Sequence, residues 1–259
     1  MRAVTLGVHC TVRTSEPLTW RAHDGGELAG TVCAFLRPDH RWFVWFESCR
    51  EDCYAPLLRM AAADVGQSLL TSVDEADEAA LERLSSLGFT ERRREGIWMI
   101  PARAGAAGAE VTDGIEVISA EAAGEGRLRE FDDELRADVP GAEGWHWDPD
   151  DFQAETYDSR EFEPATYLVG VDQASGRYAG LARIWMRPDS ARLGLIAVAA
   201  PYRRRGLARI LLRRALAAAA ERGRTEVSAE VDDTNRACIA LLTAFGGRRT
   251  SGTIELVRP

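Results

Sequence analysis

The feature of this sequence that most constrains its fold is a strand, turn and helix pattern that begins at Leu193. The apolar run 193–198 is short and bounded by turn residues, which is typical of a strand buried on both faces. From Leu207 onward apolar residues recur at helical spacing as far as Gly223, which stands where a helix C-cap glycine would. The turn between them therefore leads directly into the N-terminus of a helix.

This turn has the composition of an anion-binding loop. The first N–H groups of a helix lack partners within the helix, and together with the helix dipole they favour an anion. Gly206 lets the backbone approach a ligand closely, and Arg203, Arg204 and Arg205 add positive charge. The sequence therefore predicts a phosphate-binding loop between a strand and a helix of an α/β protein.

The loop also resembles that of a known family. Arg203-x-x-Gly206-x-Ala208 is similar to the Arg/Gln-x-x-Gly-x-Gly/Ala pattern with which GCN5-related N-acetyltransferases (GNAT proteins) hold the pyrophosphate of coenzyme A. The resemblance extends over residues 167–245 and implies an acetyl-CoA-dependent N-acetyltransferase. It implies the following cofactor-binding residues: Ala197, Val198, Arg203, Arg204, Arg205, Gly206, Leu207, Ala208, Asn235 and Cys238.

Two catalytic candidates follow from this resemblance. Val198 would offer its N–H to the thioester oxygen, although its residue type also suits an ordinary core strand. Glu230 lies in Ala229-Glu230-Val231, which looks like the Leu-Glu-Val of acetyltransferases that modify protein N-termini, where the glutamate is the proposed general base. Burial would raise the pKa of Glu230 towards a useful range. Alternatively, strand alternation places Glu230 on a solvated face with Glu226.

The helix that follows departs from the family pattern. Asn235 is expected to cap this helix, to bind the cofactor arm, or to do both. Leu242 stands where the family has the tyrosine that acts as general acid. Cys238 shares a helix face with that position and lies either near the cofactor sulfur or simply in the core. The missing acid leaves a non-catalytic coenzyme A-binding or regulatory protein as the alternative function.

An acidic, aromatic segment is the candidate acceptor region. Residues 130–163 carry thirteen carboxylates against two arginines, which favours a small, cationic amine as substrate; a solvated acidic face is the alternative. Trp145, Trp147 and Tyr157 lie in the part of this segment that borders the acceptor site in the family. The two tryptophans would stack on a substrate or fill the seam between domains.

The order of predicted elements repeats along the chain. Each half has three strands, a helix, a strand, a helix and a final strand, so an internal repeat is the simplest account. We therefore expect an α/β fold of two tandem GNAT-like mixed-sheet domains, 1–101 and 113–259, joined by a Gly-rich linker, 102–112. A helix over 121–138 has no counterpart in the first half, and 140–164 is expected to be irregular.

The first copy is degenerate at the point where the cofactor would bind. Its strand-to-helix turn, residues 49–54, has no glycine and contains Glu51 and Asp52, which would repel a pyrophosphate. The first domain is therefore expected not to bind coenzyme A.

Composition excludes several other classes of protein. A net charge of −9 does not suit a protein that coats nucleic acid or an anionic membrane. Five cysteines without a Cys-x-x-Cys pair argue against a disulfide framework or a metal site and favour a reducing cytoplasm. No signal peptide or membrane span is expected from the apolar stretches. Because a tandem repeat can imitate a dimer within one chain, we expect a monomer.

Overall fold

The computed structural model describes residues 9–11, 18–106, 113–157 and 160–259. Its strands are β1 (His9–Thr11), β2 (Leu18–Asp24), β3 (Glu27–Leu36), β4 (Trp42–Glu47), β5 (Leu69–Asp74), β6 (Thr90–Pro101), β7 (Ile115–Ser119), β8 (Tyr167–Asp172), β9 (Tyr178–Met186), β10 (Ala191–Val198), β11 (Glu226–Asp232) and β12 (Arg248–Arg258). Its helices are α1 (Tyr54–Val65), α2 (Glu78–Ser86), α3 (Ala120–Ala123), α4 (Glu125–Arg136), α5 (Pro149–Thr156), α6 (Leu207–Glu221) and α7 (Arg236–Ala244).

The chain divides into two compact units. Unit 1 comprises Met1–Arg94 and Thr253–Pro259, and unit 2 comprises Glu95–Gly252. The predicted domain boundaries differ from this division, because they placed 95–101 in the first domain and 253–259 in the second. Of the predicted linker, 102–106 form a short 3-10 helix, and the rest lies outside the described residues.

Unit 1 is a mixed sheet with helices α1 and α2. Strands β1 to β4 pair antiparallel in order, β5 runs parallel to β4, and Thr253–Arg258 of β12 pairs antiparallel with β5. The helices pack on the sheet face that includes Trp20, Val32 and Val44, all of which are fully buried. Val32 and Ala34, two residues apart on β3, point to the same side of the sheet and join Val44 of β4 in one core.

Unit 2 is also a mixed sheet, with helices on both faces. Its strand order is β6, β11, β10, β9, β8 and β7, and the pair β10 and β11 is parallel. Helices α6 and α7 pack on one face around Leu211, Leu216 and Leu242. Helices α3, α4 and α5 pack on the other face around Leu128 and Phe152. From β8 onward, the order of elements repeats that of unit 1 from β2, as the predicted repeat requires.

Two predictions for the start of unit 2 are wrong in detail. The helix expected over 121–138 is divided into α3 and α4 at Gly124, whose φ of 78° is in the left-handed region. The segment expected to be irregular contains α5. Asp148 caps α5 by accepting a hydrogen bond from the Asp150 N–H, and Pro149 is its first residue, a favoured place for proline.

Among the described residues, no helix has both the length and the apolar character required to cross a membrane.

A buried carboxylate bound by arginines stabilises unit 1. Glu255 is 4% exposed and accepts hydrogen bonds from Arg37 (2.8 Å) and Arg93 (3.1 Å), and Arg92 also contacts it. Burial alone would raise the pKa of Glu255, but the hydrogen bonds from Arg93 and Arg37 outweigh it and lower the pKa to about 2. The ionised carboxylate is therefore the form that the fold stabilises.

We expect Glu255→Gln to lower the free energy of unfolding by about 3 kcal/mol, because it removes the charge of a buried carboxylate that three partly buried arginines contact. Since the pKa is lowered on folding, the stabilisation is complete above the ordinary value of 4.5 and is lost as the pH falls towards 2. Urea denaturation between pH 7 and pH 2 measures both effects. Glu91→Gln, which removes an exposed pair with Arg94, is the control and should change little. Equal stability of the two variants would contradict the prediction.

Candidate functional site

Strands β10 and β11 separate soon after they begin. Their parallel pairing joins Arg192 to Ser228 and Leu193 to Ala229, whereas β10 continues to Val198. The register of β10 against β9 also shifts between Leu193 and Leu195. A V-shaped opening therefore lies between two neighbouring strands in the middle of the sheet, where backbone groups have no ladder partner.

The backbone of Val198 faces this opening. The N–H of Ala199 donates to the Ala179 carbonyl of β9 at 2.9 Å, and Val198 is opposite Gly180. Because hydrogen-bonded and non-hydrogen-bonded pairs alternate in an antiparallel ladder, the Val198 N–H points away from β9. The predicted role of Val198, donation of its N–H to a thioester oxygen, would need this direction.

The loop before α6 presents its backbone to open space. Arg204 (φ 65°) and Gly206 (φ 81°) are both left-handed, and this conformation is costly for the arginine. No side chain among the described residues caps α6, and a Cβ added at Gly206 would meet no atom within 4 Å. The first N–H groups of α6 therefore line an uncapped concavity that suits an anion.

A cavity of about 580 Å³ joins this loop to the strand opening. Nine of the predicted cofactor residues line it: Ala197, Val198, Arg203, Arg204, Gly206, Leu207, Ala208, Asn235 and Cys238. Arg205 does not, and its guanidinium lies 5.7 Å from the ring centroid of Tyr202. Sequence analysis missed several lining residues, among them Leu135, Asp138, Val139, Tyr202 and Arg209. Tyr202, next to Arg203, and Arg209, in the first turn of α6, are the two of these that lie close in sequence to the predicted loop.

The arginines of the loop have different surroundings. Arg203 donates from Nε to the Val198 carbonyl (2.8 Å) and from Nη2 to Asp138 (2.6 Å), so it ties the loop to the strand end. Within the described part of the chain, Arg204, Arg205 and Arg209 have no ion-pair partner. The concavity is therefore positively charged, and that charge is not neutralised internally.

Helix α7 contributes the opposite wall of the cavity. The Asn235 Oδ1 accepts a hydrogen bond from the Cys238 N–H at 3.1 Å, which confirms the predicted N-cap and leaves the amide nitrogen for a ligand. Burial raises the pKa of the Cys238 thiol to about 11, so this group is a neutral thiol at pH 7. Leu242, at the family's tyrosine position, is fully buried in the core.

Comparison with known proteins agrees with this geometry. Residues 128–246 match the sequence model of the acetyltransferase (GNAT) family. The chain contains a GNAT domain. A search of curated proteins found no match.

Solved structures of GNAT proteins share the fold over nearly the whole chain. A GCN5-related N-acetyltransferase from Sphaerobacter thermophilus is 16% identical with a TM-score of 0.69, over 96% of this chain and 83% of that one. A tandem GNAT protein from the clavulanic acid biosynthesis pathway is 15% identical with a TM-score of 0.67, over 93% and 82%. A GCN5-related N-acetyltransferase from Kribbella flavida is 14% identical with a TM-score of 0.59, over 98% and 90%. The GNAT fold is that of acyl-CoA-dependent N-acetyltransferases in general.

Of the two alternatives for Glu230, the structure shows the solvated face, so the expected burial is wrong. Its side chain is 44% exposed, and Arg192 binds both carboxylate oxygens, at 3.3 and 2.7 Å. Strand alternation explains this placement, because Ala229 and Val231 take the core-facing positions. Glu230 does not line the cavity, although it lies just beyond the point where β10 and β11 separate.

The aromatic residues of the acceptor segment belong largely to the core. Trp147 is 4% exposed, makes edge-to-face contacts with Trp145 (5.4 Å) and Phe152 (5.8 Å), and donates its indole N–H to Asp132. This burial corrects the expectation that Trp147 stacks on a substrate. Tyr157 donates its hydroxyl to a backbone carbonyl (3.4 Å), and Trp145 is half-buried, so their contact with a substrate stays a prediction.

Several acidic residues of the same segment have partners within the protein. Asp133 accepts from the Trp147 N–H and lies 2.7 Å from His146, and burial raises the pKa of its carboxyl. Asp138 pairs with Arg203, and Glu163 pairs with an arginine of the α6 C-terminus. These carboxylates therefore hold helices and loops together, which the solvated-face alternative did not foresee.

The raised pKa of Cys238 predicts slow alkylation. Labelling by iodoacetamide requires the thiolate, so its rate at Cys238 should be low at pH 7 and rise about tenfold per pH unit towards pH 11. Mass spectrometry of the peptide that contains Cys238 measures the rate. Rapid labelling that reaches a plateau below pH 9 would contradict the burial of this thiol.

Proposed function

We propose that the protein is an acetyl-CoA-dependent N-acetyltransferase that moves an acetyl group to a small amine by direct attack in a ternary complex. The observation that supports this most strongly is the uncapped N-terminus of α6 at Gly206, which opens into the same cavity as the backbone of Val198. An anion site and a strand opening in one cavity suit a ligand that has a diphosphate and an extended arm.

The residues of the cavity fit coenzyme A. The N–H groups at Gly206, Leu207 and Ala208 would hold the pyrophosphate, with Arg204 and Arg209 as counter-ions. The backbone of β10 and the Asn235 amide would bind the extended arm. When bound, acetyl-CoA supplies an activated acetyl thioester.

The chain would contribute polarisation and proton transfer. The Val198 N–H is directed into the opening, where it would donate to the thioester oxygen and stabilise charge that develops there. Glu230 remains the candidate base, now as a partly exposed carboxylate whose only described partner is Arg192. The neutral thiol of Cys238 lies on the cavity wall, but its high pKa makes it a poor acid.

Substitution of Gly206 tests the cofactor site. Gly206→Glu places a carboxylate in the concavity, and we expect acetyl-CoA affinity to fall at least about 100-fold, because a charge-assisted phosphate site becomes repulsive. Gly223→Glu is the matched control, since Gly223 has the same φ of 81° and equally open surroundings at the other end of α6. Calorimetric titration should show one site per chain, because the unit 1 turn contains Glu51 and Asp52. Unchanged affinity in the Gly206 variant would overturn the proposed site.

Substitution of Glu230 tests the base. We expect Glu230→Gln to lower kcat by about 100-fold or more with little change in acetyl-CoA affinity, as is usual for loss of a general base. Glu226→Gln is the control, because Glu226 lies on the same strand and also pairs with an arginine, Arg248. Thiol release from acetyl-CoA in the presence of amines measures the rate. Equal rates for both variants would remove Glu230 from the mechanism.

One observation favours a second function, a coenzyme A-binding protein without turnover. Leu242 fills the tyrosine position and is completely buried, so no acid acts from that position. Tight binding of acetyl-CoA with no thiol release across a broad amine library would favour this function. Release that depends on one amine and is lost in Glu230→Gln would favour the enzyme.

A further inference from the structure

A second set of polar groups lies on the sheet face of unit 2 that α4 and α5 cover. Arg183 of β9 and Tyr167 of β8 are each 1% exposed, Thr156 of α5 is 1% exposed, and Asp132 of α4 is fully buried. These residues are enclosed by the aromatic core of that face. None of them lines the cavity at α6.

The guanidinium of Arg183 makes no direct ion pair with the described residues, although Asp132 and Glu155 act on its charge through space. Its Nη2 donates to the Glu155 carbonyl at 2.8 Å, and its Cζ lies 4.5 Å from the ring centroid of Trp185 and 5.2 Å from that of Tyr167. No ion pair links it to a carboxylate in the described part of the chain, and burial is the main reason that its pKa is lowered. An enclosed cation of this kind destabilises the fold unless an anion approaches it.

Several buried polar atoms on this face of the sheet lack hydrogen-bond partners among the described residues. They are Arg183 Nη1, Tyr167 OH, Thr156 Oγ1, Trp145 Nε1 and Asp132 Oδ2. Four of these five atoms carry a hydrogen that can be donated. The one acceptor, Asp132, is already engaged through its other oxygen by Arg136 and Trp147. The set therefore has an excess of donors, and its one carboxylate, Asp132, is paired with Arg136 and acts on Arg183 only through space.

A row of side chains links this set to the strand opening. The Trp185 ring lies between the guanidinium groups of Arg183 (4.5 Å) and Arg192 (5.2 Å), and Arg192 binds Glu230. Arg183 also pairs in register with Leu195, on the part of β10 that has separated from β11. Since neighbouring strands are about 5 Å apart, a small molecule could span both places.

We propose that Arg183, Tyr167 and Thr156 bind a carboxylate of the acceptor, so that the acceptor amine is an amino acid or a similar compound with a short spacer between amine and carboxylate. The planar guanidinium fork and two hydroxyl donors match a carboxylate, which would supply the missing negative charge. This inference rests on the proposed acetyl transfer for the role of the amine, whereas the carboxylate site itself rests on the buried groups.

Matched pairs of ligands test the inference. We expect at least one of lysine, phenylalanine and histidine to raise the unfolding temperature more than its decarboxylated partner, cadaverine, phenethylamine or histamine, both with and without coenzyme A. Affinity should differ about tenfold or more between members of that pair, as for a hydrogen-bonded charge. No discrimination in any pair would overturn the carboxylate site. Equal stabilisation by inorganic phosphate in the presence of saturating coenzyme A, which occupies the α6 site, would show a general anion site and would also overturn it.

Two tyrosines provide a matched pair of variants. Tyr167→Phe removes a hydroxyl without a partner, so the ligand-free protein should keep its stability or gain some, while the preference for the amino acid falls about tenfold. Tyr178→Phe removes a hydroxyl that donates to the Ala123 carbonyl, so it should lose stability and keep the preference. A loss of stability in Tyr167→Phe with preference unchanged would assign Tyr167 a structural role only and overturn the inference. Calorimetry with coenzyme A on the same variants reports the α6 site separately, so failure of either proposal is recognised independently.

Discussion

The short pairing of β10 with β11 is the constraint on which the candidate site depends. Two residue pairs hold the strands together, and the register shift at Gly194 then turns β10 away. A Cβ at Gly194 would lie 2.7 Å from the Trp185 ring, so glycine allows the close approach of that ring to the strand. The separation leaves the Val198 N–H without a ladder partner in the middle of a sheet, where an unpaired N–H is costly. A ligand in the opening would accept a hydrogen bond from it.

The local chemistry of the loop was predictable from sequence, because it depends on neighbours in the chain. Gly206 was expected where the backbone must approach a ligand, and the structure gives it a φ of 81° at the start of α6. Asn235 was expected as a helix cap, and it is one. Helix α5 was missed even though Asp148-Pro149 is a typical helix start, because a run of acidic and aromatic residues was taken as irregular.

What sequence analysis could not provide is the set of contacts between distant elements. The side of β11 on which Glu230 lies is fixed by the pairing of β11 with β6 and β10, so its exposure and its bond to Arg192 follow from tertiary structure. The same holds for Trp147, whose sequence neighbours suggested a surface segment but whose ring joins a core formed by three helices.

Strand topology alone does not make a cofactor site. In unit 1, β4 and β5 also pair at two positions only, yet Arg50 of the following turn is neutralised by Asp24 and Asp52.

The two faces of the unit 2 sheet differ in how their charges are balanced. On the α6 face, Arg204 and Arg209 have no ion pair with the described residues but border an open cavity, where solvent keeps them hydrated. On the α4 and α5 face, Arg183 is enclosed, so water cannot hydrate its guanidinium. In the proposal above, the carboxylate of a bound acceptor balances this charge. Within unit 1, Glu255 is also a buried charge. The arginines that donate hydrogen bonds to its carboxylate offset the cost of its desolvation. Among the described residues, Arg183 is an enclosed charge without a direct ion pair, and an acceptor carboxylate would bind there, as proposed above, because the fold has already desolvated the cation.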